Sequence, residues 1–332
     1  MKKVNRLLAG SLAMVCALSM ALTGCGSSGS SASSASDSSS SSGKTVKIAY
    51  IVKAKTDEFW TNMEKGAESY AKEKGVEVDF QAPEKETDVE KQVQMVENAV
   101  AKKYDAIILS AADSKSLAPA VKKANDANIP VILVNDTMDQ SALDAEGAHV
   151  ETYVGIDQYE AAALAGKYAA STYADAKVLY LEGISGVQAH EDRLAGFKDQ
   201  CSSYTVVASQ SAKCDRNEAF NVMQNVLQSN PDVNMVWAIN AEMGQGAVQA
   251  IDQMGYTGKI HVFDFDASSD DISAIESGAL TGTIAQYPNL QAEAAIQACL
   301  DKLDGKTLEA HIVTKSELIT KDNVADFKAS QN

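Results

Sequence analysis

Arginine is nearly missing from this 332-residue chain: there are three, and only Arg193 and Arg216 lie beyond the N-terminal stretch. The net charge is −16, or −19 once Lys2, Lys3 and Arg6 are discounted. A chain so acidic repels phosphate backbones and anionic lipid surfaces, so nucleic acid is excluded as a partner. The four histidines, His149, His190, His261 and His311, stand far apart and form no H-x-x-x-H pair, so metal or Ser-His-Asp catalysis lacks its usual parts. Glycine is missing where a nucleotide would need it. The first strand runs into Lys-Ala-Lys-Thr-Asp-Glu (residues 53–58), with nothing to let a pyrophosphate approach a helix N-terminus, and no Walker loop or G-x-S-x-G elbow occurs. Asp264 and Asp266 flank Phe265, and alternation points both to one side, but no third group stands near in sequence. We expect no enzyme, no cofactor and no metal.

Cysteine is also sparse. Of five, Cys16 and Cys25 are N-terminal, leaving Cys201, Cys214 and Cys299. The run from residue 204 to 210 reads as a strand that would hold Cys201 and Cys214 about 20 Å apart, so free thiols are expected. A single long apolar run is present, residues 7–22, too short for a comfortable membrane span and preceded by Lys2, Lys3 and Arg6 in the layout of a secretory signal. It ends Leu22-Thr23-Gly24-Cys25, which resembles a bacterial lipobox, with cleavage before Cys25 and diacylglycerol on its thiol. Residues 1–24 thus read as a lipoprotein signal peptide. Residues 25–43, almost wholly Ser, Ala and Gly, read as a flexible tether. The expected location is extracytoplasmic, lipid-anchored to the cell membrane.

What remains, from about Lys44, is organised around residues 53–60, where an apolar strand (46–52) gives way to a helix. Phe59, Met63, Ala67 and Tyr70 recur on one helical face, and Gly75 is the stop signal. This is a β-to-α turn of the kind that lines the ligand crevice of open α/β sheets. Phe59 also fits the helix's apolar stripe and would serve as core. Short apolar runs then alternate with helical segments: strands near 76–80, 106–109, 131–134, 149–155, 178–181, 205–208, 235–239, 260–263 and 280–285. Helices fall at 88–103 (Val89, Val93, Val96 and Val100 on one stripe), 116–128, 217–229 and 242–255. Such alternation predicts an α/β fold with parallel sheets, and ten strands divide more naturally into two lobes than one sheet. The alanine-rich helix at 161–170 is small-sided enough for close packing on a sheet or a partner. Residues 302–306 and the tail after Lys321 read as solvated surface.

Polar residues recur at the carboxyl ends of the apolar strands: Asn135 and Asp136, Asn240, Asp264 and Asp266, Gln286. Each alone is an ordinary turn or cap residue. Together with Arg193 and Arg216, also near strand ends, they offer paired donors and acceptors suited to vicinal hydroxyls, while Phe59 and Trp60 offer a wall for an apolar CH face. These residue types favour a polyhydroxylated ligand.

At this point the chain resembles the periplasmic sugar-binding proteins of ABC transporters, in their ribose-binding cluster and closest to the allose type, over about residues 46–320. The resemblance is carried by Lys53 with Phe59-Trp60, Ile129-Pro130-Val131 leading to Asn135-Asp136, Gly183-Ile184-Ser185-Gly186 with Arg193 and Gly196-Phe197, Asn240-Ala241-Glu242-Met243, Phe265-Asp266, and Thr283-Ile284-Ala285-Gln286. It implies a type I periplasmic binding protein fold, two Rossmann-like lobes on a three-strand hinge, with residues 44–156 plus 287–314 as N-terminal lobe and 157–286 plus 315–332 as C-terminal lobe. It further implies that Phe59 and Trp60 stack on a sugar whose hydroxyls bind Lys53, Asp57, Asn135, Asp136, Arg193, Asn240, Asp266 and Gln286. Cys214 stands where the family has a stacking aromatic, which thins one wall. Acidic Asp136 follows the allose pattern and leans toward a hexose; Asp57 replaces an Asn. Three carboxylates against Lys53 and Arg193 admit an amino sugar and disfavour an acidic one. The expectation is a monomeric, lipid-anchored receptor that delivers a monosaccharide, hexose or cyclitol, to ABC permease subunits. The alternatives are a nucleoside receptor, should Trp237 face the cleft, and a sugar-sensing lipoprotein partner of a membrane receptor.

Overall fold

The strand Lys47–Ile51 (β1) shows how the chain builds its layers. Ile48 and Tyr50 enter one apolar cluster and Ala49 and Ile51 another, and all four are inaccessible to solvent. The same split occurs in Ala106–Leu109 (β3) and Val131–Val134 (β4), so the sheet is covered on both faces and its strands read as unbroken apolar runs. In this computed structural model, which describes residues 45–331 apart from Thr56, two six-stranded sheets are formed. The first has β1, Glu77–Gln81 (β2), β3, β4, Thr152–Gly155 (β5) and His311–Val313 (β11) in the order β11-β5-β4-β3-β1-β2, all parallel. The second has Lys177–Glu182 (β6), Thr205–Ser211 (β7), Met235–Ala238 (β8), His261–Phe265 (β9), Gly282–Ala285 (β10) and Glu317–Thr320 (β12) in the order β12-β10-β9-β8-β6-β7. Only β12 runs antiparallel, against β10.

The first helix, Glu58–Lys74 (α1), starts where Asp57 caps it by accepting the Trp60 N–H at 3.1 Å, and stops at Gly75 with φ of 68°. Val89–Ala101 (α2) and Ala118–Asp126 (α3) cover the opposite face of the sheet from α1; Gln140–Glu146 (α4) follows β4, and Arg216–Ser229 (α7) follows β7. The chain passes between the sheets three times. After β5 it enters Gln158–Thr172 (α5), which packs on Gln188–Gln200 (α6) of the second half. After β10 it returns through Pro288–Leu303 (α10), packed on α1, to β11, and from there crosses again to β12.

Several expectations change. Twelve strands form among the described residues where periodicity gave ten, because β11 and β12 are three and four residues of mixed polarity and show no alternation. The buried face of α2 is Gln92, Val96 and Ala99, with Val89, Val93 and Val100 only partly covered. Gln92 is held inside because its side chain donates to the Val52 and Ser110 carbonyls and accepts the Ala112 N–H. The tail does not simply lie in solvent: it forms Val324–Ser330 (α11), with Val324 buried and Phe327 beside Tyr287. The alanine-rich helix packs on α6 within the chain. Cys201, Cys214 and Cys299 are free, with the strand β7 between the first two. The signal, lipobox and tether lie outside the described residues. No helix among the described residues is long and apolar enough to cross a membrane.

Candidate functional site

Parallel strands end on the same side of their sheet, and the ends of β1, β4, β8, β9 and β10 meet in a cavity lined by Lys53, Asp57, Phe59, Trp60, Glu86, Asn135, His190, Arg193, Asn240, Asp266 and Gln286. Phe59 and Trp60 stand edge to face, ring centroids 4.8 Å apart, and belong at once to the core beneath and to the cavity wall. Lys53, at the end of β1, is buried. Its Nζ lies 3.1 Å from Asp136 Oδ1, 3.3 Å from His190 Nε2 and 3.6 Å from Glu86 Oε2. Burial alone would lower its pKa, but the Asp136 and Glu86 carboxylates outweigh burial and raise it, so it stays charged. Asp136 sits below Lys53 and also accepts from Ser110 Oγ at 2.6 Å, so it fixes the lysine and does not itself line the cavity.

Arg193, from α6, is buried and fully directed. Nε donates to Gln158 Oε1 (2.8 Å), one terminal nitrogen to the Ile239 carbonyl (2.9 Å) and the other to Gln286 Oε1 (3.2 Å), with the guanidinium 4.2 Å from the Phe265 ring centroid. Gln286 donates to Asp266 Oδ1 at 2.5 Å, and Asn135 Nδ2 donates to Gln286 Oε1 at 2.9 Å, which ties the end of β4 to the end of β10. Asn240 caps Ala241–Gln253 (α8) through the Met243 N–H. Asp266 reaches the cleft because its backbone turns to φ of 94°, breaking the strand's alternation. Asp264 therefore does not share its side. It is wholly buried beneath α8, against Asp271 of Ser269–Ser277 (α9).

Two cavity residues escaped the reading by motif. Glu86, in the loop after β2, accepts the Trp60 indole N–H at 3.0 Å. His190 precedes Arg193 by three residues on α6, a same-face spacing that was available as a signal. Burial lowers the His190 pKa well below its usual range, helped by Lys53 and Arg193, so the ring is neutral. Cys214 is not in the wall of the cavity. Its sulfur lies 3.8 Å from His190 Nε2, and burial, then Glu86, pushes its pKa well up, so it is an inert thiol. Glu86, His190 and Cys214 bring donor atoms within 4.8 Å of one another, but the Lys53 ammonium already supplies the cation there. Arg216 lies elsewhere, paired with Glu242 and Asp270 and partly exposed. Trp237 is enclosed in the core, stacked on Phe197 at 4.4 Å, and offers no face to a ligand.

The two halves also touch at the rims of the cleft. Ser269 donates its N–H (3.0 Å) and hydroxyl (2.6 Å) to Glu58 Oε2 on one side. On the other, Ser114 N–H donates to the Gly186 carbonyl and Ser114 Oγ accepts the Gln188 N–H, both at 3.0 Å.

Residues 48–307 match the periplasmic binding protein domain. The chain is 34% identical over 279 residues to the ribose import binding protein of Bacillus subtilis, covering 83% of this chain and 88% of that one. It is 31% identical over 245 residues to the D-allose-binding periplasmic protein of Escherichia coli, covering 72% and 79%. Among solved structures, a periplasmic solute binding protein of an ABC transporter from Actinobacillus succinogenes, with bound D-allose, is similar at a TM-score of 0.80. It is 33% identical, and the match covers 85% of this chain and all of that one.

Proposed function

The chain belongs to the periplasmic binding protein family, and from that premise we propose that it captures a monosaccharide, hexose or cyclitol, outside the cytoplasm and hands it to ABC permease subunits. One observation carries the reading: donors and acceptors from the strand ends of both sheets ring a cavity whose remaining wall is Phe59 and Trp60. A pyranose presents hydroxyls at its edge and a CH face above, and this wall matches both. The family consists of transport binding proteins and not enzymes, and capture needs no bond to be made or broken. Lys53, Asp57, Phe59, Trp60, Asn135, Arg193, Asn240, Asp266 and Gln286 contact the ligand in this reading. Asp136 acts through Lys53, and Glu86 and His190 join the set. The relatives named for ribose and allose, and the neighbour bound to D-allose, support a sugar. A nucleoside lacks a second stacking surface, since Trp237 is core.

In the same reading residues 44–156 plus 287–314 and 157–286 plus 315–332 are two lobes hinged at the three crossings. Residues 1–24 are removed, Cys25 carries the lipid anchor, residues 25–43 are the tether, and the receptor works as a monomer. A thermal-shift panel of allose, ribose, galactose, glucose, xylose, myo-inositol and nucleosides tests it. A ligand at 100 times its Kd adds about 2.7 kcal/mol to the native state, so a sugar or cyclitol raises Tm visibly and Trp60→Ala abolishes the rise. Shifts with nucleosides alone would overturn the reading.

A further inference from the structure

The cavity holds more negative charge than its own cations neutralise. Four carboxylates, Asp57, Glu86, Asp136 and Asp266, stand in or directly beneath its wall, against Lys53 and Arg193. The partners can be assigned. Lys53 is closest to Asp136, at 3.1 Å, and Arg193 approaches Asp266 to 3.9 Å. His190 is buried and neutral and adds no charge. That leaves Asp57 and Glu86 in surplus. Among the described residues Asp57 meets no cation within ion-pair reach and accepts only the Trp60 backbone N–H. Glu86 accepts the indole N–H of the same Trp60 through Oε1. Its Oε2 is buried with no hydrogen-bond partner, and Lys53 stays 3.6 Å away, shared with Asp136 and His190. The two surplus carboxylates therefore hold the same residue, Asp57 by the Trp60 backbone and Glu86 by its indole, and all three line the cavity.

Neutral hydroxyls would leave Asp57 with no cation beside it and Glu86 with only a share of Lys53 once the cleft is closed, which is costly in a poorly solvated site. A ligand that brings its own cation removes that cost. We propose that the monosaccharide taken by this site carries a primary amine, whose ammonium sits between Asp57 and Glu86 at the edge of Trp60. This rests on the sugar-receptor reading and narrows it. The ammonium has three donors, one for each free carboxylate oxygen and one for water or a neighbouring acceptor. Burial and the nearby charge of Glu86, then Asp266 and Glu242, raise the Asp57 pKa well above its usual range, so Asp57 draws in a proton when no cation is beside it, and a ligand ammonium takes that proton's place. An acidic sugar meets the same surplus as repulsion.

Titration calorimetry at pH 7 on the purified protein tests the proposal with matched pairs: allosamine and allose, glucosamine and glucose, galactosamine and galactose, mannosamine and mannose. The N-acetyl form of each amine serves as the uncharged control. In at least one pair the amine binds tenfold or more tighter than its hydroxyl parent and its N-acetyl form. Asp57→Asn keeps the helix cap, and Glu86→Gln keeps an acceptor for the indole. Each lowers the amine-to-parent preference by tenfold or more, whatever it does to absolute affinity. If the parents bind as tightly as the amines in every pair, or both variants leave the preference unchanged, this inference fails while the sugar-receptor reading stands. If none of the probes binds, this inference fails, and the sugar-receptor reading stands or falls on the ribose, xylose and myo-inositol of the thermal-shift panel.

Discussion

Arg193 ties three parts of the cleft together, because three of its five donors meet acceptors from α5, the end of β8 and the end of β10. Arg193→Lys keeps the charge but replaces a planar fork by a single ammonium, which cannot reach Gln158, Ile239 and Gln286 together. We expect a loss of affinity on the order of tenfold to a hundredfold by calorimetry, at the roughly 1.5–3 kcal/mol typical of charged hydrogen bonds. Away from the cleft, Asp264 and Asp271 form a buried acid pair under α8 and α9. Burial pushes Asp271 up to about 7, and burial with the Asp271 charge holds Asp264 well above the usual carboxylate range. Both folded-state values lie above the unfolded ones, so the native state holds protons that the unfolded chain has released. The pair's contribution to stability is then fully present below about pH 4 and is lost as pH rises through 7. For Asp271 the shift corresponds to something of the order of 4 kcal/mol. Asp264→Asn removes the repulsion, and thermal melts should show a Tm several °C above the parent at pH 8 and close to it at pH 5.

The helices α5 and α6 meet through glycine because their backbones touch. A Cβ on Gly196 would fall 2.2 Å from the Tyr159 carbonyl oxygen, and one on Gly166 2.7 Å from that of Phe197. Gly196→Ala forces the helices apart and should cost about 1–3 kcal/mol, read as a lowered melting temperature. Leu164→Ala, on the exposed side of α5, should change it little. This contact also shows what was legible in the sequence. The alanine-rich stretch announced a close approach but not its partner, which depends on the chain crossing after β5. The central strands were legible because burial on both faces leaves them continuously apolar. The strands β11 and β12 were not, since three and four residues of mixed polarity at the crossings carry no period. At the site, the rule of polar residues at strand ends found Asn135, Asn240, Asp266 and Gln286. It missed Glu86, which lies five residues beyond β2 and is drawn in by the indole of Trp60. It overcounted Asp264, because only the positive φ of Asp266 decides which of the two leaves the core.

For the molecule as a whole, the question is what holds the two sheets' ligand-facing ends together. The cavity supplies the bond from Asn135 to Gln286, and the rims supply Ser269 to Glu58 and the pair at Ser114. A ligand shifts an open-closed equilibrium only by its differential affinity for the two states, so every bond that exists only in the closed form raises apparent affinity without touching the ligand. Glu58→Ala removes both bonds of one rim, and Ser114→Ala removes the side-chain bond of the other and leaves its backbone bond to Gly186. At about 1 kcal/mol for each hydrogen bond, the first substitution should shift the equilibrium roughly thirtyfold toward open and the second roughly fivefold. The double variant should combine the two, since the rims share no partner. We expect a larger radius of gyration by solution scattering of the ligand-free double variant than of the parent. Ligand release in stopped-flow should be faster, and calorimetry should show affinity lowered by the same factor for every sugar that binds. That uniformity separates the rims from the cavity, where substitutions change the ranking of sugars. An unchanged envelope together with an unchanged release rate would remove the rim bonds from closure and leave the cavity residues alone to hold the cleft.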